Sequence, residues 1–228
     1  MRINTNAASL IAQEAAANTT KNVSSSLEKL STGLRINKAS DDASGLAIAD
    51  KLRTQASSIG QSISNGNSAV SLTQIADKAM SEQSNILDIV KTKLVQAATD
   101  TTSEEGRTAI GKDIKKLLDQ LDNIAKQTNY NGTTLLQASA AGTGSATSLT
   151  FQMGEKAADT IATTAGVQAN AIGLGVSALR SATTDTSATG AFNAAGARGY
   201  MTTVDSAINT LNGWRADFGS TQNQLESA

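Results

Sequence analysis

The sequence predicts a mainly α fold: an elongated bundle of long antiparallel helices with a small β-hairpin region. Three observations predict it. The 228 residues include no proline, where average usage of about 5% would give roughly eleven, and proline is the residue that breaks helix interiors. Aromatic residues make up only 3% of the chain, three Phe, two Tyr and one Trp, fewer of the large anchors than a compact core normally uses. Apolar residues recur at spacings of three and four over several long stretches. Ala, Ser, Thr, Asn and Gln fill much of the rest. Small residues let helices approach closely, and the uncharged polar ones suit surfaces that meet other protein.

The first element is a helix over residues 4–33. Val23, Leu27, Leu30 and Leu34 step by four, three and four, the spacing of a coiled-coil seam. Upstream the stripe thins to Ile3, Ala7, Leu10 and Ile11. A helix this weakly apolar has nothing of its own to bury against, so residues 3–34 are expected to be unfolded in the isolated subunit and helical only with partners. Gly33 sits at its C-terminal cap, because glycine takes the left-handed conformation without strain. Ser40, Asp41 and Asp42 can each accept hydrogen bonds from the free N–H groups of a second helix, and the two aspartates suit its dipole.

That second helix is expected over residues 42–99, through Gly60 and Gly66, a rod of roughly 85 Å. Ile48, Leu52, Ile59, Ile63, Val70, Ile75, Ala79, Leu87, Val90 and Leu94 keep mostly to one drifting face. Residues 101–106 make a turn. Thr102 and Glu105 have the capping-box spacing for a third helix. It runs to about Gln127, with Ile114, Leu117, Leu118, Leu121, Ile124 and Ala125 on one face. Long helices joined by a short loop pack antiparallel.

Asn131-Gly132 is a strong turn signal. From there to residue 198 the charged residues thin to Glu155, Lys156, Asp159, Arg180, Asp185 and Arg198, and Gly, Thr, Ser and Ala predominate. Residues 148–154 alternate like a short strand, and residues 138–147 and 181–190 read as loops. The helical pattern returns from about Tyr200. Val204, Ile208, Leu211, Phe218 and Leu225 keep heptad spacing, with Arg215 and Gln222 at the intervening seam positions. The chain stops at Ala228 in the middle of that helix, without a cap, as a truncated chain would.

Composition excludes several classes of function. Net charge is −1, which gives no reason to expect nucleic acid or an anionic membrane as partner. The absence of cysteine and histidine removes disulfides, Cys- and His-dependent triads and the usual transition-metal ligands. Adjacent Asp41 and Asp42 could in principle act as an acid–base pair, but at a helix start they read as caps. No glycine-rich phosphate loop is present. The N-terminus lacks the apolar core of a cleaved secretory signal. No enzyme and no cofactor are expected.

Residues 30–53, LSTGLRINKASDDASGLAIADKLR, resemble the N-terminal signature of bacterial flagellins. Residues 127–136, QTNYNGTTLL, are similar to the end of that family's second core helix and its following turn, with Phe151-Gln152-Met153-Gly154 after them. Residues 215–228, RADFGSTQNQLESA, are similar to its C-terminal core helix. Order and spacing agree over nearly the whole chain. Two departures stand out. Flagellins usually continue into a C-terminal helix that pairs with the N-terminal one, and many insert outer domains between the second and third segments. This chain therefore resembles a minimal, core-only flagellin with its C-terminal end missing.

The resemblance implies a structural subunit of the bacterial flagellar filament. It would be handled by an export chaperone, exported without a cleaved signal through the flagellar type III apparatus, and assembled under a filament cap. The product is an extracellular helical homopolymer for motility, with no membrane or nucleic-acid partner. A head-to-tail interface that does not close into a ring gives such a polymer. The resemblance divides the chain into an inner-core helix, residues 1–40, and an outer-core rod, residues 41–228, with the hairpin region at about 131–198. It makes Leu27, Leu30, Leu34, Arg35, Asn37, Asp41 and Asp42 the expected subunit-packing residues.

It also aligns residues 87–97 with a stretch through which Toll-like receptor 5 binds many flagellins. There Lys91, Thr92, Lys93 and Leu94 form the expected contact region. Lysine lacks arginine's planar fork, Thr92 replaces an acid, and Lys93 places an ammonium where an apolar side chain usually packs, so weakened binding is expected. Ser139, Ser145, Thr147, Ser181, Thr183, Thr184 and Ser187 are expected to face solvent and to offer sites for O-linked sugars. Two other readings remain. A hook–filament junction protein shares the terminal helices. A chemoreceptor-type helical hairpin would show unbroken heptads and no hairpin-bearing middle.

Overall fold

The computed structural model describes residues 6–138, 144–146, 148–183 and 192–228. In chain order the elements are α1 (Ala7–Thr32), α2 (Ala43–Ala97), α3 (Glu104–Gln127), β1 (Asn129–Tyr130), β2 (Thr133–Thr134), β3 (Thr150–Gln152), β4 (Thr160–Ala162), α4 (Ser177–Ala182) and α5 (Ala194–Ser227). The mainly α reading holds. Contacts divide the chain into two units, Met1–Ser58 and Ile59–Ala228.

In the first unit, Asn6 caps α1 by accepting a hydrogen bond from the Ser9 amide (3.3 Å). Gly33 ends the helix at φ 70°, its N–H bonded to the Lys29 carbonyl, as the sequence predicts. α1 has no buried residue. The start of α2 has none before Ser62.

The second unit holds the core. From α2, Leu72, Ala76, Met80, Leu87, Val90, Leu94 and Ala97 enter one cluster with Ile110, Ile114, Leu118, Leu121 and Ala125 of α3 and Ala197, Val204, Ala207, Leu211 and Phe218 of α5. Steps of three and four produce this seam. It differs from the predicted stripe of α2, because Ile59, Ile63 and Ile75 stay exposed while Ala76, Met80 and Gln83 are fully buried. The close approach of the helices selects small and slender side chains, which carry little hydrophobic signal. Polar pairs show that both α3 and α5 run antiparallel to α2. Gln83 donates to the Leu121 carbonyl (3.1 Å), and Lys93 pairs with Asp113 (3.0 Å). Arg198 donates to the Ala98 carbonyl (3.0 Å), Lys91 pairs with Asp205 (2.5 Å) and Arg215 with Asp77 (2.9 Å). Exposed pairs of this kind contribute at most about 1 kcal/mol each, so burial carries the stability and the charges set register.

Three boundaries depart from the sequence reading. The α3 cap is Ser103, which accepts from the Gly106 amide (3.1 Å). Thr102 instead donates to the Gln96 carbonyl (2.9 Å) and closes the end of α2. α5 starts at Ala194, capped by Asn193, because its first turns bury only Ala197 and show no large apolar residue. α4 is a short helix that takes in the first two residues, Ser181 and Ala182, of the loop expected over 181–190.

β1 and β2 pair in antiparallel register, Asn129 with Thr134 and Tyr130 with Thr133. Asn131 and Gly132 make the turn at φ 50° and 82°, both positive as a primed two-residue hairpin requires. β3 and β4 pair antiparallel, Phe151 opposite Ile161. Residues 167–176 pack into the core without regular structure, with Val167, Ala169, Ala171, Leu174 and Val176 buried. Buried backbone groups need partners, and side chains of the helices supply them. Gln83 donates to the Ala169 carbonyl (2.7 Å). Asp122 accepts from the Ala171 amide (2.7 Å) and from Arg180 of α4 (2.5 Å).

Truncating Leu118, which is fully buried, to alanine should lower the unfolding free energy by about 2–5 kcal/mol. Leu30→Ala, on the bare face of α1, should leave it within about 0.5 kcal/mol. Urea unfolding of the monomer measures both, and a comparable loss at Leu30 would show that α1 is packed in the isolated subunit.

Candidate subunit-packing surfaces

The sequence between α1 and α2 folds as a polar elbow. Two carboxylates organise it. Glu28 accepts from the side chains of Asn37 (3.1 Å) and Lys38 (2.6 Å). Asp41 accepts from the backbone amides of Asn37 and Lys38 (both 3.2 Å) and pairs with Lys29 (3.3 Å). Asp42 caps α2, accepting from the Gly45 amide (2.8 Å). The expectation that Asp41 also caps α2 is corrected: its carboxylate turns back onto the elbow. The amides of Asn37 and Lys38 hold Asp41 below the usual carboxylate range, with help from Lys29. The hydrogen bond and charge of Glu28 hold Lys38 above the usual lysine value.

Next to this elbow lies unburied apolar surface. Leu30 is 80% exposed, and Leu10, Ile11, Val23, Leu27, Leu34, Ile48 and Leu52 are each more than half exposed. Arg35 is exposed and has no ion pair among the described residues. In the second unit, Ile59, Ile63, Val70, Met153 and Leu225 line an apolar groove of about 380 Å³. Among the described residues no acidic cluster could hold a metal, and no helix is long and apolar enough to cross a membrane. The surface therefore offers helix-packing faces fixed by a polar joint.

The family model for the bacterial flagellin N-terminal helical region matches residues 3–141. The chain belongs to the flagellin family. It is 49% identical over 165 residues to Flagellin B of Helicobacter pylori strain J99, which covers 72% of this chain but only 31% of that flagellin. It is 34% identical over 230 residues to the flagellar filament 33 kDa core protein of Treponema phagedenis, covering 99% of this chain and 79% of that protein. The crystal structure of Bacillus cereus flagellin superposes with a TM-score of 0.58 at 28% identity, over 72% of this chain and 85% of that one. The chain thus spans about a third of the length of the Helicobacter flagellin it matches.

On this flagellin fold the expected packing residues separate into two kinds. Leu27, Leu30 and Leu34 offer exposed apolar surface, while Asn37, Asp41 and Asp42 shape the elbow. The expected receptor region is corrected in part. Leu94 is fully buried in the core and offers no contact surface. Lys93 is neither buried nor unpaired, since Asp113 holds it on the neighbouring helix. Lys91 is drawn toward Asp205, and Thr92 is exposed with its hydroxyl donating to the Asp88 carbonyl. Of the residues expected to face solvent, Ser145 and Ser181 do so. Thr183 is buried at the end of α4. Ser139, Thr147, Thr184 and Ser187 lie outside the described residues.

Residues sequence reasoning missed are the elbow's Glu28 and Lys29. Their places on α1 give no sign that both fold back onto the loop.

The elbow carries a pH dependence whose sign is fixed. Asp41 is depressed in the folded state, so its contribution is present above the ordinary aspartate value of about 3.9 and is lost as pH falls through its lower folded value. Lys38 is raised, so its contribution is present below the ordinary lysine value of about 10.4 and is lost as pH rises through its higher folded value. Carboxyl NMR titration should place Asp41 below the range of an exposed aspartate, and Asp41→Asn should loosen residues 34–42 at neutral pH. An ordinary titration at Asp41 would contradict this geometry.

Proposed function

We propose that the chain is a structural subunit of an extracellular bacterial flagellar filament, polymerising with copies of itself. One observation carries this reading. The described residues 6–58 form defined helices and an elbow but bury no side chain, while they expose a stripe of leucines and isoleucines. Fully burying each such side chain is worth about 1.5–3 kcal/mol, nothing in its own unit supplies that burial on α1, and packing against neighbouring copies would. The Treponema relative's name as a filament core protein agrees. Residues 1–40 then serve as the inner-core helix and residues 41–228 as the outer-core rod. Leu27, Leu30 and Leu34 meet neighbouring subunits, and Asn37, Asp41 and Asp42 set the angle at which they do. An export chaperone, the type III export apparatus and the filament cap are the further partners of this reading.

Fluorescently labelled protein added to sheared filament fragments should be incorporated at their ends. Leu30→Asp should abolish incorporation while leaving the urea midpoint of the monomer unchanged. Incorporation of this variant at the unsubstituted rate would refute the proposed contact.

The reading extends to weak recognition by Toll-like receptor 5. Lys91 and Thr92 present different chemistry from the arginine and acid expected there, and Leu94 is withdrawn into the core. Reporter cells should respond to this protein well below a potent flagellin, and an equal response would contradict the expectation.

A further inference from the structure

Asn-Gly occurs three times in the sequence, at Asn65-Gly66, Asn131-Gly132 and Asn212-Gly213. The pair is chemically special, because glycine leaves the following backbone nitrogen free of steric cover. That nitrogen can then attack the asparagine side-chain carbonyl carbon. The fold treats the three pairs differently. Asn65 lies inside α2, its carbonyl accepting from Gln61 (3.0 Å) and its amide donating to the Gln152 carbonyl (3.1 Å). Asn212 is exposed but lies inside α5. In an α-helix each interior N–H is bonded to the carbonyl four residues earlier, and helical dihedrals keep it from the side chain. Asn131 alone lies in a turn. It is exposed with φ 50°, and Gly132 follows with open space where a side chain would stand. The Gly132 amide lies outside the Asn129–Thr134 and Tyr130–Thr133 ladder pairs.

We propose that Asn131 is a site of spontaneous deamidation in the folded protein. The Gly132 nitrogen loses its proton and bonds to the Asn131 side-chain carbonyl carbon. The Cγ–Nδ2 bond breaks and ammonia leaves, giving a five-membered succinimide. Water then opens the ring. Cleavage at Cγ restores the ordinary backbone with aspartate at position 131. Cleavage at the main-chain carbonyl gives isoaspartate, with the backbone rerouted through the side chain. The net change is one water consumed and one ammonia released, with no oxidant or cofactor. Aspartate is compatible with a primed turn before glycine, so that product adds one negative charge and keeps the hairpin. Isoaspartate lengthens a turn whose ladder has only two residue pairs, and it disturbs Tyr130, which packs against the core.

The helical pairs are internal controls. The full chain is incubated in mildly alkaline buffer, folded or in urea, and mapped by peptide mass spectrometry with enzymatic methylation to detect isoaspartate. In the folded protein Asn131 should react at least about tenfold faster than Asn65 and Asn212, the factor that ~1.4 kcal/mol of local helix opening imposes. In urea the three rates should converge. Asn131→Gln should remove the fast reaction, since its longer side chain closes a less favoured six-membered ring. Equal rates at the three sites in the folded protein would overturn the proposal. So would reaction at Asn131 that yields aspartate without isoaspartate, which would exclude the succinimide route.

Discussion

Apolar surface that residues 6–58 cannot bury is the constraint on which the rest of the structure depends. A solitary helix gains little from its own hydrogen bonds in water, and most helical stability comes from packing an apolar face. α1 has such a face and nothing within its own unit to cover it. Its Ala, Ser, Thr and Asn content keeps the remaining faces smooth, so a neighbouring helix can approach closely. The unit's elbow is shaped by hydrogen bonds and ion pairs centred on Glu28 and Asp41. Such a joint fixes direction without supplying much stability.

The second unit solves the opposite problem. It has few aromatic residues, yet α2, α3 and α5 enclose a continuous core built on Leu, Ile, Val, Ala and Met. Small residues permit close helix contact, and the gaps are managed by polar side chains that serve backbone. Gln83 and Asp122 each satisfy main-chain groups of the irregular segment that lies against the helices. Arg180 then ties α4 to Asp122 and Asp119 of α3. The irregular segment is thereby a packed part of the core, and it needs no secondary structure of its own.

Much of this was legible in the sequence. The helices α1 to α3 followed from periodicity and the lack of proline, the α1 cap from Gly33, and the turn between β1 and β2 from Asn131-Gly132. Leu27, Leu30 and Leu34 were readable as a seam because they step by three and four along the helix. Other features were illegible for physical reasons. Ala76 and Gln83 are core residues with little hydrophobic signal, so the first half of the α2 seam was drawn through exposed isoleucines, while Leu87, Val90 and Leu94 were read correctly. Ser103 and Thr102 are both acceptable caps, and only the path of the chain chooses between them. The direction of the Asp41 carboxylate depends on a loop conformation that spacing does not specify. Leu94 was assigned to a contact surface by analogy, although its own heptad position belongs to the core.

Hydrogen exchange of the α1 amides, residues 7–32, in the free subunit and in the filament tests the central claim most directly. Low protection in the subunit, rising on assembly to that of α2 and α3 in the second unit, is the predicted result. Protection of α1 in the free subunit equal to that of the core helices would contradict it, because α1 would then be stabilised without a partner.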